Sequence, residues 1–184
     1  MATTRRTFLA SSLGVAAAGI TATATASATA SADVGLLAGQ QRDWRFCDKC
    51  YGMFFDGYTP KGVCPAGGEH HAQGWVFHLP YEMAPDSWNQ PDWRYCEKCH
   101  GMFWDGQSWK GVCPAGGGHR AQGWNFTLPH NYLQLPRNSQ PDWRYCFDCA
   151  GLFFAGYPTY GRCPVPTAHR FRDTDFHFML PYLP

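Results

Sequence analysis

Twelve residues carry most of the chemistry legible in this chain. Cys47, Cys50, Cys64 and His70 recur as Cys96, Cys99, Cys113 and His119, and again as Cys146, Cys149, Cys163 and His169, each time spaced Cys-x2-Cys-x13-Cys-x5-His. The pattern uses all nine cysteines. Cys-x2-Cys is a chelating knuckle: a tight turn brings two thiolates to one ion, and a second half-site adds a thiolate and an imidazole. Three sulfurs and one nitrogen best suit tetrahedral zinc, and a full set of protein ligands leaves no position for a reactive water. The spacing therefore predicts about three structural zinc ions per chain. Redox or disulfide use of the Cys-x2-Cys pairs and iron ligation are the competing readings. A thioredoxin-like motif would need a βαβ context, which the sequence does not offer. An odd three cysteines per unit cannot all pair within a unit.

The third set departs from the other two. It reads Cys163-Pro164-Val165-Pro166-Thr167-Ala168-His169, losing the double glycine of Pro65-Ala66-Gly67-Gly68, and Asp148 replaces Lys49 and Lys98. A lysine offsets thiolate charge and an aspartate adds to it, so this site is expected to be the weaker. His71 neighbours His70, but Arg120 follows His119, so the shared column His70, His119 and His169 is the ligand column. His78, His100, His130 and His177 read as surface or strand residues, with His100 near a knuckle.

These ligands sit in repeats 49 and 50 residues apart, which makes an internal repeat the first architectural fact. The units span residues 41–89, 90–139 and 140–184. Each opens on Asp-Trp-Arg-aromatic-Cys, passes an aromatic run (Met53-Phe54-Phe55, Met102-Phe103-Trp104, Leu152-Phe153-Phe154) and a Gly-x-Cys-Pro step, and closes on Phe-x-Leu-Pro. Aromatic and β-branched residues in short runs between Gly, Pro, Asn and Asp predict three or four short strands per unit and no long helix. Asp56-Gly57 and Asp105-Gly106 predict hairpin turns. The fold class is all-β. A β-trefoil-like arrangement, with Trp44, Trp93 and Trp143 in one shared core, is favoured because a unit of this size buries little apolar surface alone. Three tandem zinc-ribbon-like modules are the alternative.

Residues 1–32 read as a leader. Arg5-Arg6-Thr7-Phe8-Leu9, a mild apolar run and a close on Ala30-Ser31-Ala32 resemble a twin-arginine export signal, with residues 33–40 as a lead-in. That route carries folded proteins, which suits one that loads metal first. The expected location is extracellular, with no membrane insertion after cleavage. Removing Arg5 and Arg6 leaves 13 basic residues against 14 acidic, and three Cys3His zinc sites at −1 each bring the net charge to about −4. That is not the footprint of a nucleic-acid binder.

The string Trp-Arg-Tyr/Phe-Cys-x-x-Cys-x-Gly-Met/Leu-Phe-Phe/Trp, followed by Gly-x-Cys-Pro-Ala-Gly-Gly-x-His, resembles a repeat of secreted proteins of actinobacteria and other soil microbes. There the repeat stands alone or is joined to hydrolase domains. The resemblance covers nearly all of residues 41–184 and implies a binding or anchoring module. From the residues themselves no catalytic set emerges: no Ser/His/Asp arrangement, no HExxH and no GxSxG occurs. A metal-dependent hydrolase would need an open site, with unit three its candidate. Eight tryptophans and nine tyrosines exceed what a small core needs. Trp75, Trp88, Trp104, Trp109 and Trp124 are the candidate ligand-binding residues, since indole faces beside Asn, Gln and Asp suit sugar rings. The expected partner is an extracellular polysaccharide or cell-wall glycan. A structural or protein-interaction protein is the other reading.

Overall fold

The computed structural model describes residues 39–165 and 167–184. The twin-arginine leader and all but the end of the lead-in lie outside the described residues. Nine strands and no helix occur among the described residues. They are β1 (Gln40–Cys47), β2 (Met53–Phe55), β3 (Ala72–Pro80), β4 (Asn89–Cys96), β5 (Met102–Trp104), β6 (Ala121–Pro129), β7 (Ser139–Tyr145), β8 (Leu152–Phe154) and β9 (Phe178–Leu183). Three strands fall in each sequence unit, the lower of the two expected counts.

Within a unit the first strand is central and both others pair with it antiparallel. Trp44 faces Phe55 on one side and Phe77 on the other; Trp93 faces Trp104 and Phe126; Trp143 faces Phe154 and Phe178. The Asp-Trp-Arg segment has a backbone reason. Asp43, Asp92 and Asp142 have φ of 69°, 68° and 67° and sit where the long ladder shifts register. Aspartate tolerates this left-handed conformation better than branched or bulky residues do. The following tryptophan is fully buried, and its indole N–H donates to Gln41, Gln90 or Gln140 three residues upstream at 3.0–3.2 Å. A buried indole thus gains its one required acceptor.

The Asp-Gly steps do not form hairpins. β2 and β5 end at Phe55 and Trp104, and the chain enters a long loop carrying the third cysteine and the histidine before the next strand pairs with β1 or β4. The physical reason is the short strand itself: three residues give too little ladder for a tight return.

Ladders also join the units. The strand order is β2-β1-β3-β9-β7-β8 in one sheet and β5-β4-β6 in the other. The β3–β9 pairing puts Phe77 opposite Tyr182, and the isolated bridges Tyr81–Phe126 and His130–Phe178 link the remaining neighbours. The short strands touch through Phe54–Gly101, Phe103–Gly151 and Gly52–Phe153. One apolar cluster draws on all three units. In it Trp44 meets Phe126, Trp93 meets Phe178 and Trp143 meets Phe77, edge to face at 5.2, 5.0 and 5.3 Å. Each such pair adds about 0.5–1.5 kcal/mol beyond its burial. His130, read as a surface or strand residue, is buried against Phe176 with ring centroids 3.8 Å apart. An imidazole stacked on an apolar ring can stay neutral inside, and burial lowers the pKa of His130.

Candidate metal centres and an open cleft

Each expected ligand set converges. Cys47, Cys50, Cys64 and His70 are all buried, as are the members of the other two sets, and in each set the four donor atoms lie within 4.8 Å of one another. The Cys47–Cys64, Cys96–Cys113 and Cys146–Cys163 sulfurs are 3.9, 3.9 and 4.0 Å apart. The second knuckle sulfur lies 3.6, 3.5 and 3.5 Å from Nδ1 of His70, His119 and His169. A tetrahedral ion with metal–sulfur bonds near 2.3 Å requires sulfurs about 3.8 Å apart. The separations fit a shared cation and far exceed the ~2.05 Å of a disulfide. The protein therefore has three buried Cys3His sites, each able to hold one metal ion. His71 lies outside the cluster, with Nδ1 2.9 Å from the Asp48 carboxylate.

The local electrostatics suit a cation. Hydrogen bonds with Cys50 and Cys64 hold the Cys47 thiol far below its usual range, and Cys113 and Cys99 do the same to Cys96. Its neighbour Cys50 is pushed well above the usual range by the same contacts and by burial. Burial opposes charge on His70 and His119, yet the nearby sulfurs outweigh it and raise both to about 9. The sulfurs' negative potential that raises these imidazoles would equally favour a dication, which must displace the imidazole proton to bind at Nδ1.

The knuckles close by a common device. Tyr51, His100 and Ala150, each following the second cysteine, have φ of 63°, 62° and 62°, and their N–H groups donate to the first cysteine's carbonyl at 2.8 Å. Their own carbonyls accept from Phe154, Phe55 and Trp104 of another unit at 2.9 Å. The histidines are held on two sides. Their rings stack on Phe54, Phe103 and Phe153 at 4.7 Å. With Nδ1 toward the sulfurs, Nε2–H of His70 donates to the Cys99 carbonyl at 3.2 Å, and that of His119 to the Cys149 carbonyl at 3.1 Å. Such outer partners fix a ligating histidine's tautomer and orientation. One metal site thus leans on the backbone of the next unit's knuckle. The third does not: Nε2 of His169 is buried without a partner.

The Gly-x-Cys-Pro glycine belongs to the same junction. Gly62, Gly111 and Gly161 have φ of 71°, 67° and 63°, and a Cβ on each would stand 2.3, 2.0 and 2.2 Å from the carbonyl oxygens of Cys99, Cys149 and Cys50. Neither the conformation nor the space admits a side chain. Gly111→Ala is expected to destabilise the metal-loaded protein by about 3 kcal/mol or more. A urea denaturation midpoint indistinguishable from the parent's would contradict that packing.

Unit three compensates for its altered charge. Lys49 and Lys98 donate to the Gly67 and Gly116 carbonyls and so pin the Cys–His loop. At Asp148 the expected excess of negative charge is met by Arg170, which pairs with it bidentately at 2.6 and 2.5 Å.

The five candidate tryptophans divide. Trp75 stacks on Tyr182, and Trp124 on Tyr81, both at 4.3 Å, so one indole face of each is spent joining units while the ring stays 46% exposed. Trp88 leans on Tyr132 at 6.1 Å. Trp104 is half-buried, donates to the Pro91 carbonyl and packs against Tyr145. Trp104 and the exposed Trp109 come together in one cleft of about 440 Å³, with Gln107, Tyr145, Arg172 and Asp175. Gln107, Arg172 and Asp175 were not singled out by sequence, and their non-equivalence across the repeats was the signal that could have found them. Comparison with family models, curated proteins and solved structures finds no match for this chain.

Proposed function

We propose that the protein is a secreted, zinc-stabilised, non-catalytic module that binds carbohydrate, built as a β-trefoil. The trefoil reading is supported over tandem modules by the common core and by contacts that run from unit one to two, two to three and three to one. Zinc is favoured by the donor set, three thiolates and one imidazole at tetrahedral separations. Secretion rests on the leader and on the resemblance to repeats of exported proteins. The metal-dependent hydrolase loses ground because the donor spacing of site three equals that of the other two.

The observation that carries the carbohydrate reading is the cleft holding Trp104 and Trp109, where indole surface meets a glutamine, a phenol, an arginine and an aspartate. Sugar rings need this mixture: an apolar face for the C–H side and fixed polar groups for the hydroxyls. Purified protein is expected to be retained on at least one of chitin, cellulose or isolated cell wall, and Trp109→Ala should weaken retention. Uniform flow-through on all three would remove the reading and leave a structural or protein-interaction role.

A further inference from the structure

Clefts lie at matching places on all three unit boundaries, but they are unequal. At the boundary of units one and two, Tyr58 fills the space, with ring centroids 5.1 Å from Phe55 and 6.2 Å from Tyr95. At that of units three and one, Tyr157 does so, 5.1 Å from Phe154 and 6.0 Å from Phe46. The corresponding residue at the boundary of units two and three is Gln107. The volumes follow: about 200, 310 and 440 Å³. Two further differences favour the last cleft. Trp109 stands where the others have Pro60 and Thr159, and Trp104 where they have Phe55 and Phe154. The far wall belongs to the stretch between His169 and Phe178, two residues longer than in the other units.

We infer that this cleft alone among the three is a ligand site, and that it takes one neutral pyranose ring with neighbouring free hydroxyls. The inference rests on the carbohydrate reading and narrows it. Gln107 Nε2 donates to the Tyr145 hydroxyl at 3.0 Å, which leaves the Gln107 carbonyl oxygen to accept and the Tyr145 O–H to donate. Asp175 accepts the Arg172 backbone N–H through one carboxylate oxygen at 2.9 Å, leaving the other for a hydroxyl. The Arg172 guanidinium rests 5.0 Å from the Phe147 ring centre and carries donors into the same space. Acceptors and donors thus line the same cleft, as hydroxyls, which both donate and accept, require, and Trp109 is 45% exposed among them. Arg172 and Asp175 cancel in charge. A uronate would gain from one and be opposed by the other, whereas a neutral sugar meets no such conflict.

The test is calorimetric titration of the metal-loaded protein with soluble oligomers of glucose and of N-acetylglucosamine, and with an oligouronate of similar length. One site per chain is expected, with a neutral oligomer binding more tightly than the oligouronate. Gln107→Tyr, which restores the residue type of the other two boundaries, should weaken binding at least about tenfold, while metal content and melting temperature stay at parental values. Trp75→Ala and Trp124→Ala should leave the affinity within about twofold. If Gln107→Tyr binds like the parent, or if three equal sites appear, the site assignment fails and the carbohydrate reading stands. Tighter binding of the oligouronate overturns the neutral class. No binding to any of the three, with no retention on the insoluble polymers, overturns both.

Discussion

A strong chelator is expected to abolish the cooperative fold, not merely soften it. Each site gathers four buried donors from two ends of a loop, and the second knuckle cysteine of each unit is 1–2% exposed. Binding a structural zinc ion is worth about 10–16 kcal/mol in small metal-dependent peptides at neutral pH. The net stability of a whole domain is about 5–15 kcal/mol. Loss of even one ion therefore rivals the entire margin, since without it only hydrogen bonds and the adjacent imidazole hold the buried donors of Cys47 or Cys96 together. Damage spreads because Gly62 and Gly111 pack directly on the next knuckle's carbonyl. Chelation should red-shift the emission of Trp44, Trp93 and Trp143, all fully buried, and remove the thermal transition. Cys64→Ser, which deletes one ligand from one site, should unfold the chain or leave a melt lowered by tens of degrees. An apoprotein that still melts cooperatively near the parental temperature would show that the aromatic core alone holds the fold.

The aromatic core is nevertheless why the units act together. Their apolar cluster is common, so a unit cannot leave it without exposing Trp44, Trp93 or Trp143 along with its edge-to-face partner on another unit. A metal ion in each Cys3His site would close its long loop, and the core joins the units. Zinc-ribbon-like autonomy would require each unit to bury its tryptophan against its own strands, and here the closest aromatic ring to each tryptophan comes from elsewhere in the chain.

The ligand sets were legible because coordination is decided by residue type and short spacing, and both are written along the chain. So were the strands and the buried tryptophans, which follow from local aromatic runs and their recurrence. Contacts between units were not. Nothing in Gly-x-Cys-Pro reveals that Gly62 lies under the carbonyl of Cys99, a residue 37 positions on; that depends on ring closure. The Asp-Gly steps misled because a turn dipeptide predicts a hairpin only when strands long enough to pair flank it, and β2 and β5 have three residues. Trp75 and Trp124 looked unconstrained because their stacking partners, Tyr182 and Tyr81, are in other units. The open cleft was hidden for a related reason. A glutamine among aromatic residues has no meaning until Tyr58 and Tyr157 are seen to fill the matching spaces.

The same closure predicts an order of metal release. His70 and His119 are each braced by a hydrogen bond from Nε2 to the next knuckle, and His169 is not. Leaving a buried N–H unpaired costs about 1–3 kcal/mol, and the cost falls on the ligated state, where Nδ1 must face the metal and Nε2 must carry the proton. The first sulfur is also less supported. His71 N–H and Arg120 N–H donate to Cys47 and Cys96 Sγ at 3.4 Å, and no such bond from Arg170 to Cys146 occurs among the described residues. Cys163 is pushed up to about 12 by Cys146 despite a lowering contact from Cys149, so a proton there competes with metal. Site three should therefore exchange its ion at least about tenfold faster than sites one and two, a tenfold change being about 1.4 kcal/mol. Loading the protein with cadmium-113 gives each site its own resonance, assignable through couplings to the cysteine β-protons, and exchange against zinc keeps the fold intact throughout. The resonance coupled to Cys146, Cys149 and Cys163 should decay first. Equal decay of all three, or earlier loss at Cys47, Cys50 and Cys64, would mean that the missing brace on His169 carries no energetic weight.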